Sequence, residues 1–166
     1  MIKKAIVIGC PGSGKSTFSK KLSKITDLPL YHLDMIWHKK DKINVSREEF
    51  DNSLKNIMSK NTWIIDGNYA RTLEVRIKEC DTIFFLDIPT EICLKNVEKR
   101  IGTPRDDMPW IEEYFDEDFK KWIIDFPTRE LTKIYSLLEH YKNSKNIIIF
   151  KSLEEVDAYL LNTNIK

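Results

Sequence analysis

The sequence predicts an α/β fold in which a parallel sheet lies between two layers of helices. Two observations carry that prediction. Five short apolar, β-branched runs, AIVIG (Ala5 to Gly9), LYHL (Leu30 to Leu33), TWIID (Thr62 to Asp66), TIFFLD (Thr82 to Asp87) and IIIF (Ile147 to Phe150), alternate with helical patterns. Near-continuous apolar runs suit strands covered on both faces, and helical connections between them make every crossover parallel. The string GCPGSGKST, Gly9 to Thr17, joins the first run to the first helical pattern and matches G-x-x-x-x-G-K-[ST], a phosphate-binding loop in its proper strand-to-helix setting.

Within that loop each residue type has a physical task. Gly9, Gly12 and Gly14 permit backbone torsions that let successive amides of the loop that runs through Pro11 and Ser13 to Thr17 line one anion-sized concavity. The helix starting near Lys15 adds its positive end. Lys15 supplies a cation for the β- and γ-phosphates, and the Ser16 hydroxyl is placed to ligate Mg²⁺. The expected cofactors are therefore ATP and Mg²⁺.

The second run predicts a strand closed by Asp34, an acid facing the crevice where acceptors bind in open α/β sheets. There it can orient a hydroxyl and take its proton, or bind a sugar or base if the acceptor is a phosphate. The neighbouring His32, His38 and Trp37 read as packed residues. Ser46 and Glu49 form a capping box ahead of the stripe Phe50, Leu54, Ile57 and Met58. The third run ends in Asp66-Gly67, the form of a strand whose terminal acid holds a Mg²⁺-bound water while glycine turns the chain away; Asp87 in FFLDIP is the weaker alternative. Arg71 and Arg76 follow that strand, and Arg100 and Arg105 flank Gly102. Guanidinium pairs at loop edges suit phosphate oxygens.

Pro89 and Thr90 open a helix carrying Leu94, Val97 and Ile101, which Gly102 stops. From Trp110, the residues Ile111, Phe115, Phe119, Trp122 and Phe126 recur at helical spacing and read as core. That helix is expected to end at Pro127, before a second one bearing Leu131, Ile134, Leu138 and Tyr141. The interleaved acids Glu112, Glu113, Asp116, Glu117 and Asp118 read as a solvated face. Ser152 and Glu155 repeat the capping device ahead of Val156 and Leu160.

With 166 residues and 42% hydrophobic content, the chain reads as one domain over residues 1–166, with an acceptor-binding region over about 34–76 and a lid over about 100–109. The 27 Lys and Arg nearly balance 26 Asp and Glu, so a nucleic-acid partner is not expected. The three cysteines, Cys10, Cys80 and Cys93, have no C-x-x-C pairing and fit a reducing cytoplasm. No run approaches the ~18 apolar residues of a membrane span, so a soluble protein is expected. Cys10, beside Lys15 and a helix start, has surroundings that tend to activate a thiol, although it reads first as a filler of an unconstrained motif position.

GCPGSGKST, LDMIW, DGNYART and KRIGTPR, in that order, resemble the adenylate-kinase-like branch of P-loop kinases, and among them the small proteins labelled DNA topology modulation proteins. The resemblance covers nearly the whole chain. It implies a five-stranded parallel sheet in order 2-3-1-4-5, a short lid carrying Arg100 and Arg105, and an ATP-dependent kinase acting on a small-molecule acceptor. DGNYAR is similar to the DGFPR pattern, whose arginine contacts phosphate; with Pro missing and one residue added, the match falls on Arg71 or Arg76. Asp34 resembles the acceptor-binding Asp of shikimate-type kinases, whose short lids this one also resembles. Gly67, Arg71 and Arg76 would then hold the acceptor with Asp34. The arginines favour a nucleoside monophosphate and Asp34 a polyol or nucleoside hydroxyl; the reading tilts to the nucleotide. The competing reading is a nucleotide-dependent, DNA-associated regulator. A GTPase is disfavoured by the lack of an NKxD-like signature.

Overall fold

A computed structural model describes residues 2–164 of the chain. The elements are β1 (Lys4–Gly9), α1 (Lys15–Thr26), β2 (Leu30–His32), α2 (Leu33–Trp37), α3 (Arg47–Met58), β3 (Trp63–Asp66), α4 (Ala70–Glu79), β4 (Thr82–Leu86), α5 (Thr90–Arg100), α6 (Glu117–Phe126), a π-helical turn (Pro127–Leu131), α7 (Thr132–Tyr141), β5 (Asn146–Phe150) and α8 (Leu153–Asn164). The strands form one all-parallel sheet in the order β2-β3-β1-β4-β5, as expected. The burial explains the sequence pattern: β1, β3 and β4 have helices over both faces, so Ile6, Ile8, Ile64, Ile65, Phe84 and Phe85 are all fully buried.

Parallel register sets the chemistry at the carboxyl ends. Val7 and His32 both pair with Asp66, and Gly9 pairs with Leu86. The loop after β1, the acid ending β3 and the start of α2 are thereby brought to one edge of the sheet. Under that edge, Phe18 of α1 packs edge-on against Phe84, with ring centroids 4.9 Å apart, and ties the first helix to the sheet.

The capping box at Ser46 is present in full: its hydroxyl accepts from the Glu49 amide at 3.1 Å, and Glu49 Oε2 accepts from the Ser46 amide at 2.8 Å. At α8 the device is shifted. Ser152 Oγ accepts from the Glu155 amide, but Glu155 reaches one residue further back, to the Lys151 amide.

Three expectations are corrected. The second strand stops at His32, and Asp34 lies in the first turn of α2. Residues 110–116 are not helical; the Gly102 amide donates to Glu112 O and Glu112 folds onto two arginines, so ion pairing overrides the 3.6-residue pattern. Helix α6 starts only where Asp116 caps it, through the Phe119 amide at 2.8 Å. Pro127 does not end the helix. A proline lacks the N–H that an α-turn needs, and the chain passes it in a π-turn, with helical torsions continuing into α7.

Candidate nucleotide site

A cleft of about 860 Å³ opens over the carboxyl ends of β1 and β3. Its floor is the loop Pro11 to Thr17. The first i→i−4 bond of α1 is Phe18 N–H to Gly14 O at 2.9 Å, so the amides of the first turn lie beyond the helical ladder at its positive end. The loop is pressed against α5: a Cβ on Gly12, which has φ +80°, would stand 2.2 Å from Cys93 O, so no side chain fits there. Asn96 Nδ2 donates to Gly12 O at 2.8 Å and fastens the contact. Gly9 is buried against Leu86 and shapes the loop from beneath instead of lining the cleft. Lys15 Nζ donates to Cys10 O at 2.9 Å, which curls the side chain over the loop.

The Ser16 hydroxyl donates to Asp66 Oδ2 at 2.7 Å, joining the loop to the end of β3. His32 Nδ1 lies 2.7 Å from the same oxygen. Asp66 Oδ1 is buried without a hydrogen-bond partner. A buried carboxylate oxygen left unpaired costs about 1–3 kcal/mol or more, and with the Ser16 hydroxyl on its other oxygen Asp66 offers oxygen donors of the kind a hard cation takes. Asp87, the alternative acid, is occupied by Tyr135 and Lys151 and does not line the cleft.

Over the loop stands the segment after α5. Arg100 Nε is 2.8 Å from Glu112 Oε2, and Arg105 reaches Glu112 at 3.0 Å and Asp107 in a two-pronged pair at 3.0 and 2.6 Å. Burial pulls the Arg100 guanidinium down, and the neighbouring Arg105 adds to that; for Arg105 the same burial is outweighed by Asp107 and Glu112, which raise it. Asp107 is itself buried, yet its two hydrogen bonds from Arg105, helped by the nearby polar Ser16, hold it well below the usual carboxylate range. Lys20 of α1 pairs with Asp106, so the segment is tied to the phosphate loop's own helix. Phe119, 5.8 Å from the Arg100 guanidinium, and Trp122 line the cleft, whereas Ile123 and Phe126 of the same helix are core; the aromatic stripe is divided between the two.

On the opposite wall Asp34, Trp37, His38, Gly67, Asn68 and Tyr69 line the cleft. Tyr69 donates to Asp34 Oδ1 at 2.7 Å. Burial, then the Asp34 charge, push the Tyr69 phenol well above its ordinary range, so it remains a donor. Its backbone has φ +31°, a costly conformation for an aromatic residue. Gly67 has φ +140°, and a Cβ there would strike Leu33 at 2.9 Å, so the turn after Asp66 requires glycine.

Arg76 explains how that turn is held, and corrects its expected role. It is fully buried, and its guanidinium donates to Gly67 O at 2.8 Å, Asn68 O at 2.5 Å and Tyr69 O at 3.1 Å. Desolvation lowers it to about 10, which leaves it charged at neutral pH. Arg76 is a clamp on three consecutive carbonyls and does not line the cleft. Arg71 is exposed, paired with Asp51 at 2.9 and 2.5 Å, and lies outside the cleft as well. Helical geometry separates them: Thr72, Leu73, Arg76 and Ile77 form the buried stripe of α4, and Arg71 sits off it.

Cys10 is buried, with Sγ at 4.0 Å from Ile123 O; a hydrogen bond with Cys93 and burial push its thiol far up, against the activation its neighbours suggest. Iodoacetamide at pH 8 is expected to leave Cys10 unmodified in the native protein while labelling it after denaturation, as read by peptide mass spectrometry. Rapid native labelling would show that the loop opens.

The AAA domain family profile matches residues 6–121, which span the phosphate loop, the Asp66 strand and the arginine-bearing segment. The chain belongs to the AAA domain family. Its similar proteins include the adenylate kinases of Rickettsia akari (strain Hartford), 28% identical over 87% of this chain and 89% of that protein, and of Rickettsia africae (strain ESF-5), 26% identical over 92% and 94%. The adenylate kinase of Thermotoga maritima is 28% identical over 52% of this chain and 40% of its own length. AAA domain membership and these relatives support a nucleotide-binding phosphotransferase at family level. Among the described residues, no helix is long and apolar enough to cross a membrane.

Proposed function

We propose that this protein is an ATP-dependent kinase that moves the γ-phosphoryl group to a small acceptor, a hydroxyl or a phosphate. The observation that carries this reading is the meeting of Ser16 Oγ and Asp66 at 2.7 Å, with Asp66 Oδ1 buried and unpartnered, directly beside the phosphate loop. Lys15 and the first-turn amides of α1 would bind the β- and γ-phosphates, and Ser16 and Asp66 would hold Mg²⁺, which when bound neutralises phosphate charge. Arg100 and Arg105 would close over the transferring group, with Glu112 and Asp107 fixing the planes of both guanidiniums in advance. Gly67, Asn68 and Tyr69, clamped by Arg76, would form the acceptor wall with Asp34. Catalysis in such a site is positioning plus charge stabilisation. One domain, a cytoplasmic setting and a place among the small DNA topology modulation proteins belong to the same proposal. The alternative of a DNA-associated switch requires a cationic face, and 27 basic against 26 acidic residues argue for none.

The test is a screen of nucleoside monophosphates, nucleosides and polyols with ATP, following ADP release. At least one acceptor is expected to raise turnover well above the background of Lys15→Ala; failure of every acceptor to do so sinks the kinase reading. Asp66→Asn is expected to remove the additional thermal stabilisation that Mg²⁺ gives the ATP-bound protein and to leave stabilisation by ATP in EDTA nearly unchanged. An undiminished Mg²⁺ increment would take Asp66 out of the metal site.

A further inference from the structure

We infer that the acceptor is an uncharged, hydroxyl-bearing molecule and not a phosphate ester; this rests on the kinase reading above and narrows it. A phosphoryl acceptor that is itself a phosphate brings a second dianion into the cleft, and such a group needs cations of its own. Among the described residues the acceptor wall carries no lysine or arginine. Arg71 is held by Asp51 outside the cleft, and Arg76 is sealed beneath the turn with its guanidinium spent on three carbonyls. The lid segment adds no net charge, because Arg100 and Arg105 are matched by Glu112 and Asp107. Lys20 and Lys21 also line the cleft, on the α1 side and away from the acceptor wall, and they pair with Asp106 and Asp157, so among the described residues Lys15 with the helix end is the cation left for the triphosphate.

The wall instead presents acceptor chemistry for hydroxyl groups. Tyr69, kept protonated, donates to Asp34 Oδ1, and Asp34 Oδ2 has no protein partner among the described residues. The strained Tyr69 backbone, clamped by Arg76, holds that phenol–carboxylate pair in place. In the transfer, the acceptor oxygen forms the new bond to the γ-phosphorus, the bond from that phosphorus to the β–γ bridging oxygen breaks, and the hydroxyl proton passes to Asp34 Oδ2 as ADP forms. Trp37 beside it offers a flat apolar surface for the carbon skeleton.

Two measurements test the class of acceptor. In calorimetric titration, diadenosine 5′-pentaphosphate, which spans a donor site and a phosphate-acceptor site, is expected to bind within about threefold of ATP in the wild type. Binding at least a hundredfold tighter than ATP, with the excess lost in Arg71→Ala, would overturn the inference while leaving the kinase reading intact. Loss of ATP binding itself would instead overturn the kinase reading. In the second measurement, neutral polyols and nucleosides are compared with their phosphate esters as acceptors of labelled γ-phosphate. A neutral compound is expected to be preferred over its ester, with Asp34→Asn lowering its kcat/KM at least tenfold and Arg71→Ala leaving it within twofold. Preference for the ester overturns the inference.

Discussion

Lys15→Ala is expected to lower kcat/KM about a thousandfold and to abolish the thermal shift that ATP produces, while the melting temperature without ATP stays within a few degrees. Among the described residues the side chain reaches only Cys10 O, through one half-buried hydrogen bond, so its removal costs the fold on the order of 1 kcal/mol. Its value lies in the transition state. A preorganised cation beside a developing phosphate charge typically contributes a factor of about 10²–10³. Stopped-flow or coupled ADP assays on the acceptor identified by the screen, together with differential scanning fluorimetry, separate the two effects. If Lys15→Ala binds ATP as the wild type does and turns over within tenfold of it, the loop is not the donor site.

Arg76→Met is expected to lower stability by about 3 kcal/mol, a drop in melting temperature of roughly 10 °C for a chain of this size. The guanidinium satisfies the Gly67 and Asn68 carbonyls, which methionine would leave unpaired, and adds a bond to Tyr69 O, which also accepts from the Thr72 amide; relief from burying a charge offsets part of that loss. The functional consequence is selective. Freed from the clamp, Tyr69 is expected to leave its left-handed conformation, so acceptor KM rises at least tenfold while the Kd for ATP stays within about threefold. Arg76→Lys should recover part of the stability, since an ammonium can reach one or two of the carbonyls but not all three. A variant that keeps its melting temperature and loses ATP affinity would mean that Arg76 serves phosphate after all.

These two residues also mark what was legible in the chain. Lys15 lies on the cleft where the sequence puts it because its position is coded locally: strand, glycine-rich turn and helix start are contiguous, and backbone geometry alone directs the amides. Arg76 is misread as a phosphate ligand because residue type and nearness to a strand end say nothing about which way a helical side chain points. A periodicity reading of α4 would have found it, since Arg76 falls on the stripe of Leu73 and Ile77. Glu112 reads as a solvated acid in sequence and Asp107 carries no signal there, and only the folding of residues 101–116 back over Arg100 and Arg105 gives them partners. Asn68 and Tyr69 carry no motif signal beyond following Asp66-Gly67. Phe119 and Trp122 share a helical stripe with true core residues, and only the packing of α6 decides which of them meets the cleft.

By itself the sequence determined the parallel α/β sheet and its helices, the phosphate loop, and the two groups, Ser16 and Asp66, that its ends bring together. Apolar runs, glycine positions and strand-terminal acids act through backbone geometry, which depends on near neighbours. The tertiary structure alone decided which charges are spent on the protein and which face the cleft. Arg71 on Asp51, Arg76 on three carbonyls, and Glu112 and Asp107 on the lid arginines span from 2 to 20 residues, and each depends on how a loop folds back or which way a helix face is turned, which no local pattern records.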